Sequence, residues 1–260
     1  MTVPAVLAAH SPPLTALHAA FIFLAGLYAG TINTVVGSGS LVTFPTLIAL
    51  GYAPVLANVS NNIGLVPGAC AGVYGYRREL AGQRQRLLGL LPASVGGGIV
   101  GAVLLFVLPS SVFKRAVVVL IVIALALVIA QPRLSRRFAF SGASARHSKL
   151  LVVFVFLVGV YGGYFGAAQG IILIALLSIF VADSLQRLNA AKNVLALAVN
   201  GVASVVFVIA TDIDWKVAGL IAAGSALGGT LGALGGRRLN PTALRVVIVA
   251  VGIVAIVRLV

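Results

Sequence analysis

Apolar stretches of about 20 residues follow one another from residue 16 to residue 260, separated only by short polar or basic loops. A helix of about that length crosses the hydrocarbon core of a bilayer. In that solvent every backbone N–H and C=O must be bonded within the protein. The chain is thereby confined to helices or a closed barrel, and the length of the runs selects helices. Composition agrees: 61% of residues are apolar and 8% charged, against roughly half and a quarter in an average soluble domain. A soluble enzyme and a nucleic-acid-binding domain are excluded, and the expected fold class is an all-α polytopic membrane protein. The net charge of +14, from 18 Lys/Arg against 4 Asp/Glu, would suggest a nucleic-acid partner in a soluble chain. Here the basic residues fall in short loops, where they direct topology instead.

The apolar segments run over residues 16–50, 53–76, 87–108, 112–131, 150–182, 188–211, 215–236 and 242–260. Six have the length of one helix. The first and fifth are too long for a simple span, and each is interrupted by glycine-rich polar sequence, Gly30 to Ser40 in one and Gly162 to Gly170 in the other. Glycine at this density weakens a continuous helix. Non-helical backbone at membrane depth is tolerated only inside protein or against an aqueous cavity. Both segments are expected to be helical hairpins or broken helices with the break facing inward.

Positive charge separates the two topologies. If the long segments cross once, 11 Lys/Arg lie on the side of the 77–86 loop and 7 on the other. If each returns to its starting side, the division is 14 to 4, which obeys the positive-inside rule far better. The hairpin topology puts both termini outside, in keeping with a first 76 residues that hold no Lys, Arg, Asp or Glu. That stretch also lacks the basic start of a secretory signal. The single cysteine, Cys70, allows no internal disulfide and is expected to serve helix packing, within Gly68-Ala69-Cys70-Ala71-Gly72.

The two halves resemble each other at an offset near 131 residues. Gly26-Leu27-Tyr28-Ala29-Gly30 is echoed by Gly159-Val160-Tyr161-Gly162-Gly163, and Asn58 with Asn62 by Asn189 with Asn193. Gly98, Gly101 and Ala102 correspond to Gly229, Gly232 and Ala233. The expected organisation is a leader (1–15), a first repeat (16–131), a basic cytoplasmic linker (132–149) and a second repeat (150–260). Each repeat is a hairpin or broken helix plus three transmembrane helices. Three crossings is an odd count, so the second repeat is inverted relative to the first, an architecture shared by many secondary transporters.

The run from Gly26 through Pro45 to Asn62, its echo from Gly159 to Asn193, and the Gly-x-x-Gly-Ala helices resemble the TauE/SafE sulfite exporter family, also called TSUP. The similarity covers nearly the whole chain beyond the leader. It implies transport of sulfite, thiosulfate or organosulfonates across the bacterial inner membrane. The second half has no counterpart to Pro45, and its break is two residues shorter.

The breaks suit an anion. A half-helix that begins at mid-depth points free N–H groups and a positive dipole end into the cavity. Gly37, Gly39, Gly166 and Gly170 admit an oxyanion close to the backbone, and Asn33, Ser38, Ser40 and Gln169 could donate hydrogen bonds. The competing role of these residues is close packing and capping of the half-helices. Asn58 with Asn62, and Asn189 with Asn193, each lie four apart on one helix face, placed for substrate contact or interhelical hydrogen bonds. Lys192, whose partner position is Asn61, either snorkels to the cytoplasmic surface or supplies a cation for the anion. Arg77, Arg78, Arg84, Arg86 and the 133–149 cluster read as topology signals meeting anionic lipid.

No catalytic dyad, metal-ligand spacing or phosphate loop is evident, and no enzyme activity, metal or cofactor is expected. The reading is an inner-membrane secondary transporter or facilitator of small oxyanions, bound at mid-depth between the repeats. The alternatives are a proton- or cation-coupled carrier and a non-transporting scaffold. A scaffold needs no polar backbone at mid-depth, and a cation carrier would normally place carboxylates there. The topology predicts that cysteines introduced into the 77–86 and 133–149 loops label from the cytoplasm and those in the Asp212–Asp214 loop from the periplasm. External labelling of residues 133–149 would overturn it.

Overall fold

The computed structural model describes residues 12–138, 149–235 and 241–259. They form ten helices: α1 (Ala16–Val35), α2 (Ser40–Ala49), α3 (Pro54–Gly75), α4 (Arg84–Val107), α5 (Ser110–Phe138), α6 (Lys149–Tyr164), α7 (Gln169–Phe180), α8 (Leu185–Ala210), α9 (Trp215–Gly235) and α10 (Pro241–Leu259). Among the described residues there is no strand. Five helices (α1, α4, α5, α8 and α9) are long and apolar enough to cross a membrane. α3 has the length, at 22 residues, but Asn58, Ser60, Asn61 and Asn62 dilute its apolar character and are all buried. A polar helix face in this setting has to look into protein, and α3 packs against α1, α8 and α9.

The breaks are narrower than the sequence suggests. α1 runs on through Gly30 and Asn33 to Val35, and α6 through Gly162 and Gly163 to Tyr164, leaving residues 36–39 and 165–168. Glycines counted as breakers are instead packing positions, where intrinsic propensity yields to close helix contact. A Cβ at Gly30 would collide with the backbone of Ser225 and Gly229 in α9, and one at Gly163 with that of Gly98 and Ala102 in α4. α5 also continues to Phe138, into the segment expected as linker. The leader through residue 11 and residues 139–148 lie outside the described residues.

Glycine seams define the helix directions. Along α1 and α9, Gly224 abuts Phe23 and Leu27, Gly228 abuts Leu27 and Thr31, and Gly232 abuts Thr31. Residue numbers rise together, so the two helices are parallel. Gly64, Gly68 and Gly75 of α3 meet Ile221, Ser225 and Ala233 in the same order. Thus α1, α3 and α9 start on one face, and α2 returns to the face from which α1 set out. Likewise Gly97 and Gly101 of α4 meet Phe156 and Val160 of α6, while Gly98 of α4 meets Val199 of α8 and the Ser94 hydroxyl donates to the Leu195 carbonyl. α4, α6 and α8 are parallel to one another and start on the opposite face.

Asp183, in the α7–α8 connection, makes that second face explicit. Its carboxylate lies 2.9 Å from Arg86 of α4 and 2.8 Å from Arg187 of α8. Gln83 donates to the carbonyls of Glu79 and Arg187, and Arg187 to that of Ala81. Had α6 and α7 made a single crossing, Asp183 and Arg86 would sit on opposite faces. Partial burial pushes the Asp183 carboxyl up. The Arg86 hydrogen bond, the Ser184 N–H and the charges of Arg187 and Arg86 outweigh it, leaving the pKa below the ordinary value. A lowered carboxylate pKa stabilises the fold above the unfolded value, and that contribution fades as pH falls through the folded one.

Two glycines that look alike in sequence should therefore behave oppositely. Gly101→Ala drives a methyl into the Val160 carbonyl and should cost about 1–3 kcal/mol. Gly201→Ala, in α8 with nothing within 4 Å of the new methyl, should gain about 0.5–1 kcal/mol from helix propensity. Thermal unfolding of both variants in one detergent checks the pair, and equal shifts would refute the packing account.

Candidate functional site

The two breaks meet in the middle of the fold. The N–H groups of Val36 and Gly37 converge on the Ile32 carbonyl, and those of Phe165 and Gly166 on the Tyr161 carbonyl. The chain then turns through a left-handed glycine in each case, Gly37 at φ +91° and Gly166 at φ +75°, a conformation that costs glycine little. α7 begins after Ala168, a non-glycine residue held at φ 59°. The Gly170 N–H donates to the Gly37 carbonyl at 3.1 Å, joining one break to the other. A methyl group on either glycine would stand 2.5 Å from the other's Cα. Phe165 packs edge-on against Phe44 of α2, with ring centroids 5.1 Å apart, and closes the same junction.

Side chains cap some helix starts and not others, and α3 and α4 begin without such a cap. Thr15, Ser184 and Asp214 cap α1, α8 and α9 with side-chain oxygens. α2 and α7 have no side-chain cap. The expected capping role for polar side chains at the breaks is thus not what the structure shows. Ser38, 1% exposed, has a buried hydroxyl with no partner, and so does the amide nitrogen of Gln169. Gln169 lies over Gly162 of α6, and Gly39 against Ala29 and Asn33 of α1. Ser40 opens α2.

The last turn of α1 receives three donors from α8. Asn189 and Asn193 both reach the Thr34 carbonyl, at 3.1 and 3.4 Å, so their four-residue spacing converges on one atom. Lys192 donates from Nζ to the Asn33 carbonyl at 2.9 Å. Across the junction, Asn58 of α3 donates to the Tyr164 carbonyl at the end of α6, at 3.0 Å. Asn62 is buried on the same helix. Asn61, in the position that corresponds to Lys192, accepts a hydrogen bond from the Thr43 hydroxyl.

Lys192 does not snorkel. It is the eighth residue of α8 and 1% exposed. A cation beside the C-terminal carbonyls of α1 is where the helix dipole favours one. The four acids of the chain lie in connections between helices, Glu79 before α4, Asp183 before α8, and Asp212 and Asp214 before α9. Asp183 is taken by Arg86 and Arg187. The Lys192 ammonium therefore has one backbone carbonyl and no carboxylate beside it. Cys70 does not serve the helix packing expected of it: it is exposed, while Gly68, Ala69 and Gly72 are buried on the packing face.

Beside Lys192 lies a cavity of about 10 Å³, room for about one water. Of the residues singled out from sequence, Asn33, Gly37, Gly170, Lys192 and Asn193 line it; Thr34, Ala69 and Ala196 complete it. Thr34 acts through its carbonyl, which no side-chain pattern marks. Ala69 and Ala196 are small residues on α3 and α8, the second within one turn of Asn193.

The profile of the family described as "Sulfite exporter TauE/SafE" matches residues 22–259. A "Probable membrane transporter protein" of Haemophilus influenzae is 28% identical over 221 residues, covering 82% of this chain and 83% of that protein. A Sinorhizobium "Probable membrane transporter protein ORF9" is 26% identical over 247 residues, covering 92% and 91%. "Probable membrane transporter protein YfcA" of Escherichia coli K12 is 24% identical over 217 residues, covering 81% and 78%. No solved structure matches. With apolar spanning helices, two breaks joined at the centre and a family profile that runs from α1 to the end of α10, this multi-pass membrane transporter belongs to the sulfite exporter TauE/SafE family.

Proposed function

We propose that the chain carries small oxyanions, namely sulfite, thiosulfate or an organosulfonate, through the junction of its two breaks in the bacterial inner membrane. The observation that carries this reading is Lys192: a buried ammonium at the meeting point of the breaks, with a lone carbonyl as partner and no carboxylate. Burying a charge without a counter-charge is costly, and an anion arriving from solution supplies the missing one. The reciprocal bonds of Asn189 and Asn58 to opposite helix ends fit two inverted repeats of a hairpin and three helices each, with both termini periplasmic.

The junction in this conformation is too tight for a tetrahedral or pyramidal sulfur oxyanion. A cavity for one water grows to that size if the Gly37 carbonyl leaves the Gly170 N–H. Parting them frees an N–H at the start of α7, where the dipole end is positive. Lys192 swings between the Asn33 carbonyl and the anion, and the anion thus draws apart the contact that shuts its own site. Gly170→Leu would leave no room for that step.

Driving force follows from the charges. No carboxylate lies within a spanning helix, so proton or Na⁺ sites of the usual acidic kind are lacking. A cell interior held negative pushes an anion outward with about 2.3 kcal/mol per charge per 100 mV, which agrees with export as the family's description has it. In proteoliposomes loaded with methanesulfonate, whose charge does not change with pH, efflux should follow a valinomycin-set potential and ignore imposed pH or Na⁺ gradients. Lys192→Gln should weaken sulfite binding by roughly thirtyfold or more, about 2 kcal/mol. Efflux that ignores the potential and follows a pH gradient would overturn the uniport mechanism, and full transport by Lys192→Gln would overturn the role of the lysine.

A further inference from the structure

The described residues that line the cavity carry a single charge. Lys192 brings one positive charge. The other lining residues, Asn33, Thr34, Gly37, Ala69, Gly170, Asn193 and Ala196, are neutral. The helix ends offset each other, because the C-terminal end of α1 and the N-terminal end of α7 face the same cavity with partial charges of opposite sign. The nearest ionic residue along α8, Arg187, is five residues away and is held by Asp183 and the Ala81 carbonyl at the face. Neutral donors on the lining that could spread a second negative charge are largely spent: Asn193, like Asn189 beside it, is turned to the Thr34 carbonyl, and the Gly170 N–H is a single donor, while the unpartnered Ser38 hydroxyl and Gln169 amide lie outside the lining.

We infer that the site selects its substrate by charge, taking monoanionic sulfur oxyanions and rejecting dianions of the same shape, which narrows the proposed substrates to organosulfonates and hydrogensulfite and removes thiosulfate. The inference rests on the proposed oxyanion reading. One negative charge on Lys192 leaves the buried site neutral. A second would remain uncompensated in a low-dielectric interior, where an unpaired charge is strongly disfavoured. The site has a single cation because the position related to Lys192 in the first half is Asn61, whose side chain is committed to Thr43.

Methanesulfonate and sulfate test this without any change of pH, being tetrahedral at the same sulfur and differing in one charge. Calorimetric titration of the full-length protein should find methanesulfonate bound tighter than sulfate by roughly tenfold or more. Adding a second positive charge to the cavity lining with Asn193→Lys should reverse the order. In proteoliposomes each transported methanesulfonate should carry one charge. Sulfate bound by the wild-type protein as tightly as methanesulfonate would overturn charge selection while leaving the oxyanion reading standing. Failure of the wild-type protein to bind either anion, or sulfite, would overturn both.

Discussion

A polypeptide that interrupts its helices at mid-depth in a bilayer exposes backbone groups where there is no water to bond them. Here one contact answers that constraint for both interruptions: the Gly170 N–H meets the Gly37 carbonyl, and neither residue has a Cβ to hold them apart. The remaining free ends are met by side chains from elsewhere in the chain, Lys192, Asn189 and Asn193 on one side and Asn58 on the other. The fold's long-range organisation follows from bringing these partners within reach. α8 has to lie beside the end of α1, and α3 beside the end of α6, so each half completes the other's broken helix.

The same interlocking governs the packing around the junction. α1 is clasped by α9 and α6 by α4, along seams where glycine lets backbone approach backbone. Apolar burial offers little discrimination between helices when lipid is equally apolar, so close approach and interhelical hydrogen bonds decide which helices pair. Ser225 shows both at once: its hydroxyl donates to the Gly64 carbonyl and accepts from the Gly68 N–H, joining α9 to α3 where glycine clears the way. The two faces differ in their fastenings. On the basic face Asp183 ties the α7–α8 connection to α4 through Arg86. On the other face the corresponding α2–α3 connection carries Tyr52, whose buried hydroxyl has no partner.

Much of this was legible beforehand, and for identifiable reasons. Hydropathy is a strong signal because a span must be apolar over its whole length, so the helices and their order could be read from the apolar runs. The hairpin course of the second long segment could be read from the distribution of Lys and Arg, and the Asp183–Arg86 contact agrees with it. The spacing of Asn189 and Asn193 announced a shared helix face, and both side chains do reach one carbonyl. The breaks are shorter than the glycine pattern suggests. Gly30 and Gly163 looked like helix breakers because propensity is a local quantity, whereas their role is to admit a neighbouring helix. Lys192 was ambiguous for a similar reason: eight residues into a helix, a lysine reaches the surface or not according to what lies above it. Cys70 shared a small-residue stretch with Gly68 and Gly72, but only the rotation of α3 against α9 settles which of these residues face inward.

Composition, hydropathy and motifs in the sequence are enough to make this chain a helical membrane protein, to place its helices, to show that the two long apolar segments are interrupted, and to reveal the family it resembles. These are properties of composition and period, set by the thickness and polarity of the bilayer and expressed locally along the chain. Helix packing in three dimensions makes the two interruptions touch, makes the Thr34 and Tyr164 carbonyls the acceptors, and seals Lys192 at the junction without a carboxylate. A backbone carbonyl has the same chemistry at every residue, and burial of a charge depends on neighbours more than 150 positions away in the chain, 159 for Lys192 and Asn33. Which carbonyl is free and which cation is stranded are properties of the packing between helices, and no local pattern of side chains encodes them.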